Sequence, residues 1–319
     1  MKVKYYCKKF IAMLLTLLAV SFFVFAAFEI IPGDPATSIL GTNATKESVQ
    51  ALREEMGLNA PFLSRYFSWV LSCCKGDFGI SYSYHIPVRE MIADKLPITL
   101  TMTVLAMLMT MIVSVLLGVF LAKHTRSVWD KCGYVVNQIA MAIPAFFLGI
   151  LFTYLFGLIL KWFTPGGYIS YQKNFVGFLG YLIMPSIAIA IPKCAMSVKL
   201  LRSSILTEAG KDYVRTAYSR GNSTSQVLYR HVLKNAMIPV ITFWGMALAD
   251  MSAGSIVVEQ VFNIPGLGRI LLSSISNRDY PVVEAVIVLI AFLVVITNFL
   301  VDLLYRKMDH RMQDGEDLK

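Results

Sequence analysis

The sequence predicts an all-α integral membrane protein with six transmembrane helices. Hydrophobic residues make up 56% of the 319 residues and charged residues only 15%, and the mean hydropathy is +0.63. This composition is too apolar for an ordinary soluble domain. The apolar residues also form six runs, each close to or above the roughly 20 residues that cross a bilayer core.

The first four runs contain no charged residue. They are Phe10–Phe28, Leu96–Ala122, Gly133–Leu160 and Asn174–Pro192. The last two carry acidic residues: Asn235 to about Phe262 contains Asp250 and Glu259, and about Val282 to Leu304 has Glu284 and Asp302 near its ends. We interpret all six as membrane spans.

The first run has two interpretations. A basic start, from Lys2 to Lys9, followed by an apolar stretch with Ala26 and Ala27 is also the layout of a signal peptide. The uncharged run is 19 residues long, however, which exceeds a usual signal core. We therefore favour a retained first helix.

The distribution of basic residues predicts the orientation. With the N-terminus inside, segments 1–9, 123–132, 193–234 and 305–319 are cytoplasmic and hold 19 of the 29 Lys and Arg residues. Segment 32–95 holds six basic residues against seven acidic ones. Because Lys and Arg near short loops stay on the cytoplasmic side, both termini are predicted to be cytoplasmic. The net charge of +9 follows from this topology and indicates lipid headgroups, not nucleic acid, as neighbours.

The long segment between the first two spans is predicted to form a small helical cap outside the membrane. One helix is expected after Thr45 as N-cap, with Gly57 as its stop, and a second from Pro61 to Gly76. The second helix is expected to present one apolar face, formed by Leu63, Tyr66, Phe67 and Val70. A third helix would open at Pro87 and enter the membrane at Pro97.

The basic loop 193–234 contains a bracketed short helix. Asp212 is the predicted N-cap and Gly221 the predicted residue after the C-cap. Val214, Ala217 and Tyr218 share one face by their spacing. A short amphipathic helix of this kind can lie in the membrane interface or fit a groove of a partner, and these residues leave both open.

Several motifs resemble those of the dipeptide/oligopeptide/nickel permease family of ABC importers. The segment Asp212–Gly221, followed by Arg230–Pro239, resembles the cytoplasmic "EAA" loop, although Arg215-Thr-Ala217 stands where that name calls for Glu-Ala-Ala. Further similar motifs follow in order: Ile31–Pro35, Gly57-Leu-Asn with Pro61, Gly76–Gly79 with Ser81, Pro97 with Thr99, Pro265–Gly268 and Asp279–Val282. Each motif is weak alone, whereas the ordered series is strong.

The resemblance implies a type I ABC importer transmembrane domain. It implies a second, homologous permease subunit, two cytoplasmic ATPase subunits that bind ATP and Mg²⁺, and an extracytoplasmic substrate-binding protein. No cofactor is expected on this chain itself, and the protein is expected in the bacterial inner membrane. The residues expected to couple to the ATPase are Asp212, Tyr213, Arg215, Ala217, Tyr218, Arg220 and Gly221.

The predicted organisation has four parts. They are the N-terminal tail and first helix (1–31), the external cap (32–95), the five-helix permease core with its coupling loop (96–308, loop 193–234) and a cytoplasmic tail (309–319).

The fifth span contains the candidate translocation-path residues Asp250, Ser252, Ser255 and Glu259. A carboxylate halfway along a span is costly in lipid, so Asp250 should face a water-filled path or a polar partner. The small residues Ser252 to Ser255 fit either tight helix packing or a pore constriction. Glu259 is alternatively a cap for the turn that follows. Glu29, Glu284 and Asp302 lie at helix ends, where they are expected to reach headgroups or water.

Other function classes find less support. The sequence has no G-x-x-x-x-G-K-[ST] phosphate loop and no H-E-x-x-H or G-x-S-x-G motif, and its four histidines lack metal-ligand spacing. A membrane-anchored enzyme or a metal site on this chain is therefore not expected. The adjacent Cys73 and Cys74 would form only a strained vicinal disulfide. A self-contained channel or secondary transporter fits the charged fifth span but leaves the basic loop unexplained.

The cargo follows only from the resemblance. Family members are reported to carry dipeptides, longer peptides, glutathione or nickel complexes. We expect a di- or oligopeptide.

Overall fold

The computed structural model describes residues 2–30, 35–41 and 45–308. This part of the chain is helical, and its only β-pairing is the isolated bridge between Ile80 and Pro87. The helices are α1 (Lys2–Ile30), α2 (Pro35–Leu40), α3 (Lys46–Glu55), α4 (Phe62–Cys74), α5 (Val88–Lys123), α6 (Val128–Ala142), α7 (Ala145–Phe152), α8 (Phe175–Ala209), α9 (Asp212–Ser219), α10 (Thr224–Gln226), α11 (Leu233–Val261), α12 (Leu267–Ser276) and α13 (Tyr280–Met308). A π-helical segment, Thr153–Ile159, extends α7, and another, Val227–Val232, joins α10 to α11.

Five helical stretches within the described residues are long and apolar enough to cross a membrane. They are Cys7–Ile30, Val88–Lys123, Phe175–Ala209, Thr224–Val261 and Tyr280–Val301. A sixth span results if α6 and the α7 stretch Ala145–Ile159 are counted together. The predicted all-α membrane fold is confirmed.

The third predicted span is not the straight helix that the sequence suggested. The helix axis bends by 98° between Val128–Ala142 and Ala145–Ile159. Ile143 has an extended backbone, with φ −85° and ψ 123°, because the ring of Pro144 disfavours helical geometry in the preceding residue. The run Gly133–Leu160 is therefore a broken span or a re-entrant segment.

The chain divides into two compact units. We call residues 1–99 with 265–295 the cap unit, and residues 100–264 with 296–319 the core unit. The predicted four-part division stays a prediction. The predicted tail 309–319 and most of the motif Ile31–Pro35 lie outside the described residues.

The predicted helices of the cap unit are confirmed. Thr45 caps α3, since its side chain accepts a hydrogen bond from the backbone N–H of Ser48 while the Ser48 side chain accepts one from Thr45. The stop after α3 is Gly57, whose φ of +66° suits glycine. Helix α4 follows Pro61 and is followed by Gly76, whose φ is +79°.

The predicted apolar face of α4 is wrong in part. Tyr66 is buried, but Leu63 and Phe67 are exposed. The buried side of α4 packs on α1: the Tyr66 ring lies 5.3 Å from that of Phe22, and its hydroxyl is 2.9 Å from Ser21 Oγ. The sequence pattern could not exclude this error, because apolar residues three and four positions apart lie on two overlapping faces of α4. The contacts with α1 determine which of these faces is buried.

One buried carboxylate fixes the loop after α4 to the start of α13. Asp279 accepts hydrogen bonds from Ser81 Oγ at 2.5 Å, from Tyr82 N at 2.9 Å and from Ser83 N at 3.3 Å. Cys73 and Cys74 are both free thiols. Burial, with a smaller effect of the Glu284 charge, raises the pKa of the Cys73 thiol to about 12, so this thiol is protonated at neutral pH.

Helix α8 lies at the centre of the core unit and packs against α6, α7 and α11. Two polar contacts, one part-buried and one buried, join these helices. Asn137 Nδ2 of α6 donates to the carbonyl of Ala195 at 2.7 Å, and Trp244 Nε1 of α11 donates to Ser197 Oγ at 2.8 Å. These contacts position the loop that follows α8.

Candidate functional site

The short helix predicted in the basic loop is present as α9. It begins at Asp212 and ends at Ser219, and Gly221 follows in the left-handed region with φ +82°. The predicted N-cap is wrong by one residue: Lys211 has the extended backbone of the cap, with φ −79° and ψ 154°. Asp212 is instead the first helical residue, where a negative charge still interacts favourably with the helix dipole.

Helix α9 has one buried and one exposed face. Val214 and Ala217 are buried and pack on the π-helical segment Val227–Val232. Tyr218, predicted on the same face, is 46% exposed. Asp212 and Arg215 are also exposed, at 3.9 Å from each other. The outer face is therefore polar with one aromatic ring.

Tyr213 fastens α9 to two long helices. Its hydroxyl donates to Glu208 Oε2 at the end of α8, at 2.8 Å, and accepts from Asn235 Nδ2 at the start of α11, at 3.1 Å. Lys211 also pairs with Glu208. Burial is the main cause that raises the pKa of the Tyr213 hydroxyl, so the phenol is neutral at physiological pH. The Tyr213 hydroxyl thus links α9 to both α8 and α11.

The C-terminal side of α9 is held by the chain itself. Asn222 Nδ2 donates to the Ala217 carbonyl at 2.9 Å. Ser223 and Gln226 then form a reciprocal capping box that starts α10. Arg220 is the C-cap residue and is exposed. The loop residues Asp212 to Gly221 therefore form one rigid unit.

Asp250 has a polar partner that the sequence analysis did not identify. Lys193 Nζ of α8 lies 2.8 Å from Asp250 Oδ2 of α11. The predicted fourth span ended at Pro192, and this assigned Lys193 to the loop; α8 in fact continues to Ala209. The sequence did contain a clue to this pair: Lys193 directly follows the predicted fourth span, and the fifth span carries the carboxylate of Asp250.

The Lys193–Asp250 pair also borders a cavity of about 320 Å³. The cavity lies at the bend between α6 and α7, and its lining includes Met141, Pro144, Ile189, Lys193, Asp250 and Gly254. Gly254 faces open space, since nothing lies within 4 Å of the position a Cβ would take. At Gly254, therefore, the run of small residues borders a cavity and does not form a close helix contact.

The other candidate path residues are not gathered at this cavity. Ser252 Oγ donates to the Leu248 carbonyl at 3.0 Å, and Ser255 Oγ to the Ser252 carbonyl at 2.8 Å, both within α11. Ser255 and Glu259 are fully buried. The Glu259 backbone carbonyl accepts from Ile264 N at 2.8 Å, at the turn after α11. Of the four residues, the structure brings only Asp250 to the cavity.

The ionisable residues at helix ends differ from expectation in one case. Glu29 forms an ion pair with Arg65 at 3.0 Å. Glu284 was expected to reach headgroups or water, but it is only 7% exposed. The Asp302 side chain lies outside what the structure describes.

A second ion pair in the core unit was missed by the sequence analysis. Arg202 of α8 holds Asp130 of α6 through two contacts of 2.7 Å, Nε to Oδ1 and Nη2 to Oδ2. Asp130 also accepts from the backbone N–H of Arg126 at 2.9 Å. The two residues are 72 positions apart, and nothing in the local sequence joins them.

Comparisons with known proteins agree with this architecture. Residues 114–314 match the family described as "Binding-protein-dependent transport system inner membrane component", and residues 2–103 match its N-terminal domain. The chain is 34% identical over 309 residues to the probable peptide ABC transporter permease protein y4tP of Sinorhizobium fredii, covering 97% of this chain and 99% of that protein. It is 34% identical over 302 residues to the glutathione transport system permease protein GsiC of Escherichia coli K12, covering 94% and 96%.

The fold is also similar to that of a solved transporter. A chain of the MetNI methionine ABC transporter in an inward facing conformation aligns with a TM-score of 0.54 at 18% identity, covering 69% of this chain and 97% of that one. Together with the helical spans and the loop helix α9, these matches place the chain in its family. It belongs to the binding-protein-dependent transport system inner membrane components, and is the membrane permease subunit of an ABC importer.

Proposed function

We propose that this chain forms half of a translocation path for di- or oligopeptides and is driven by two separate ATPase subunits through α9. The other half would be a homologous permease subunit, and an extracytoplasmic binding protein would deliver the cargo. ATP and Mg²⁺ would bind on the ATPase subunits, and this chain would carry no cofactor and no catalysis of its own. Both termini would be cytoplasmic.

The attachment of α9 is the observation that carries this proposal. The Tyr213 hydroxyl joins α9 to the end of α8 and the start of α11 at 2.8 and 3.1 Å. The outer face, with Asp212, Arg215 and Tyr218, has no such role inside the chain and is free for a partner groove. A groove that grips this face and moves would carry α8 and α11 with it.

The moving helices border the cavity beside Asp250. Since α8 supplies Lys193 and α11 supplies Asp250, a change in the relative position of the two helices alters the pair and the cavity together. Arg220 and Gly221 would keep α9 at a fixed angle during this motion. Asp250 and Lys193 are the proposed path residues; Ser252, Ser255 and Glu259 would support α11 from within.

Peptide is the proposed cargo because a relative named as a probable peptide permease matches 97% of this chain and 99% of its own length. Glutathione, itself a small peptide, is the second candidate, on the strength of the 34% identical GsiC. Nickel complexes remain a wider family alternative.

The test is co-purification of the ATPase subunits with the tagged chain, together with uptake in vesicles that contain the whole complex. Gly221→Pro should abolish uptake and transport-coupled ATP hydrolysis while leaving membrane insertion intact. Proline requires φ near −65°, whereas Gly221 has φ +82°, so the end of α9 must rearrange. Tyr218→Asp should act likewise by placing a charge on the docking face.

Tyr84→Asp is the matched control for Tyr218→Asp. Tyr84 is 52% exposed but belongs to the cap unit, so the same change should leave ATPase co-purification unaltered. Unchanged uptake in Gly221→Pro and Tyr218→Asp would remove the coupling role of α9. Full uptake by the purified chain alone, without ATPase subunits, would favour the alternative of an ATP-independent channel or secondary transporter.

A further inference from the structure

A large cavity lies within the cap unit, and it shares no residue with α9 or with the cavity beside Asp250. Its volume is about 1110 Å³, just above the roughly 300–1,000 Å³ of small-molecule sites. The walls are the end of α1, helices α3 and α4, the loop after α4 and the start of α13. None of the roles described above uses it.

Glu284 lies in the wall of this cavity without a partner. The residue is 7% exposed, and no hydrogen bond or ion pair joins its carboxylate to any described residue. Arg65 is the cation whose charge acts on it, but the Arg65 guanidinium is already paired with Glu29 at 3.0 Å. A carboxylate withdrawn from water is strongly unfavourable unless a cation or donors satisfy it.

Two further polar atoms in the same wall are buried and unsatisfied. They are Trp69 Nε1 and Tyr280 Oη, neither of which has a hydrogen-bond partner among the described residues. The tryptophan N–H can only donate, and the tyrosine hydroxyl can donate or accept. Both atoms expose almost no surface, so a ligand in the cavity meets Glu284 and not these two groups.

The wall that carries these groups is held in place. Ser81 and Tyr82 line the cavity, and both are bound to Asp279 by the hydrogen bonds described above. Burial raises the pKa of the Tyr82 hydroxyl, which keeps it a neutral phenol in the wall. A preformed site loses little conformational freedom when a ligand binds.

We propose that this cavity binds a short peptide, with the ammonium group at its amino terminus on Glu284. An ammonium group supplies the positive charge and the donors that the carboxylate lacks. Aromatic side chains such as Phe25 and Phe28 offer apolar surface to the peptide side chains. The choice of a peptide over another primary amine rests on the proposed function.

The test is calorimetric binding to the full chain in nanodiscs made only of phosphatidylglycerol. The probes are alanyl-alanine and phenylalanyl-alanine, each compared with its N-acetyl form, which has no ammonium group. The free dipeptides should bind at least tenfold more tightly than the acetylated ones, as expected for a lost charge-assisted hydrogen bond. Absence of binding by both free dipeptides, or equal binding of the acetylated forms, overturns the proposal.

Variants locate the binding. Glu284→Gln should weaken dipeptide binding at least tenfold, whereas Glu90→Gln, the same change at an exposed carboxylate outside this cavity, should leave it unaltered. If Glu284→Gln fails to fold, Glu284→Asp decides the matter, because it keeps the carboxylate and draws it back by one methylene; it too should bind several-fold more weakly. Wild-type binding in a folded Glu284→Gln, or in Glu284→Asp where the glutamine variant does not fold, overturns the assignment.

A lipid with a primary amine is the rival occupant. Nanodiscs that contain phosphatidylethanolamine should leave the dipeptide affinity unchanged; a loss of dipeptide binding that depends on Glu284 would assign the cavity to the lipid headgroup and overturn the proposal. Failure of this binding test can be distinguished from failure of the proposed function. Peptide uptake by the whole complex without dipeptide binding here refutes this site alone, whereas unchanged uptake in Gly221→Pro refutes the coupling role alone.

Discussion

Two ion pairs connect α8 to its neighbours in the core unit, and they are built differently. Arg202 holds Asp130 of α6 through two parallel contacts of 2.7 Å, and the Asp130 side chain is 9% exposed. Lys193 makes a single contact of 2.8 Å with Asp250 of α11, whose side chain is 65% exposed. The first pair is a planar, two-point connection, and the second is a single contact at the edge of a cavity.

The difference indicates which connection can change during transport. A bidentate, partly buried pair fixes both the distance and the angle between two helices, whereas a single lysine contact fixes neither as tightly. Between them, the buried hydrogen bond from Trp244 to Ser197 holds α8 against α11. At Ser197 a buried hydrogen bond joins α8 to α11, whereas at Lys193 the joining contact is a single ion pair at the edge of the cavity.

The largest expected effect comes from breaking the bidentate pair. Asp130→Ala leaves the Arg202 guanidinium without its partner and should lower the free energy of unfolding by about 3 kcal/mol. The measurement is thermal unfolding of the purified chain in detergent. Asp94→Ala is the control, because the Asp94 side chain is 53% exposed and, among the described residues, its ion pair is with the adjacent Lys95. A loss no greater than that of the control would contradict the structural role of the Asp130 pair.

An intermediate effect on stability is expected when residue 202 keeps its positive charge but loses the guanidinium that makes two hydrogen bonds. Arg202→Lys can make only one of the two contacts with Asp130 and should lower the free energy of unfolding by about 1 kcal/mol. Lys193→Arg is the converse change, and since Asp250 is exposed it should be neutral. Both are measured by the same unfolding experiment. Equal stability of Arg202→Lys and the unchanged protein would mean that the second contact adds nothing.

The cap helices and the ion pairs of α8 differ in how far the sequence could predict them. The cap helices were predicted from local signals, since Thr45 and Gly57 delimit α3 and Pro61 and Gly76 delimit α4. Caps and turn glycines act within a few residues, so sequence alone is sufficient. The ion pairs of α8 join residues 57 and 72 positions apart, and only the tertiary fold brings those residues together.

The bend in the third span shows the same limit. Pro97, Pro185, Pro192 and Pro239 all lie inside helices, yet Pro144 ends one. Beyond the break, α7 packs closely on the end of α11, since a Cβ added at Gly149 would lie 3.1 Å from the Phe262 ring. A proline in a span therefore permits a break, and contacts elsewhere decide whether it occurs.

Removing the charge at the Lys193–Asp250 contact is expected to have the smallest effect on stability but a clear effect on transport. Asp250→Asn should change the free energy of unfolding by less than about 1 kcal/mol and leave assembly with the partner subunits intact, while altering the rate of peptide uptake. The carboxylate balances the charge of Lys193 beside the cavity, so its removal leaves a positive charge that disfavours cationic groups there.

The double variant Lys193→Gln with Asp250→Asn separates charge from packing at this contact. If the unbalanced charge is the cause, the double variant should recover part of the uptake that Asp250→Asn loses, since neither residue is then charged. If Asp250→Asn transports at the unchanged rate, Asp250 is a packing residue. A loss of stability as large as that of Asp130→Ala would instead make the two ion pairs equivalent, and α8 would then be fixed to α11 at the cavity as firmly as it is fixed to α6.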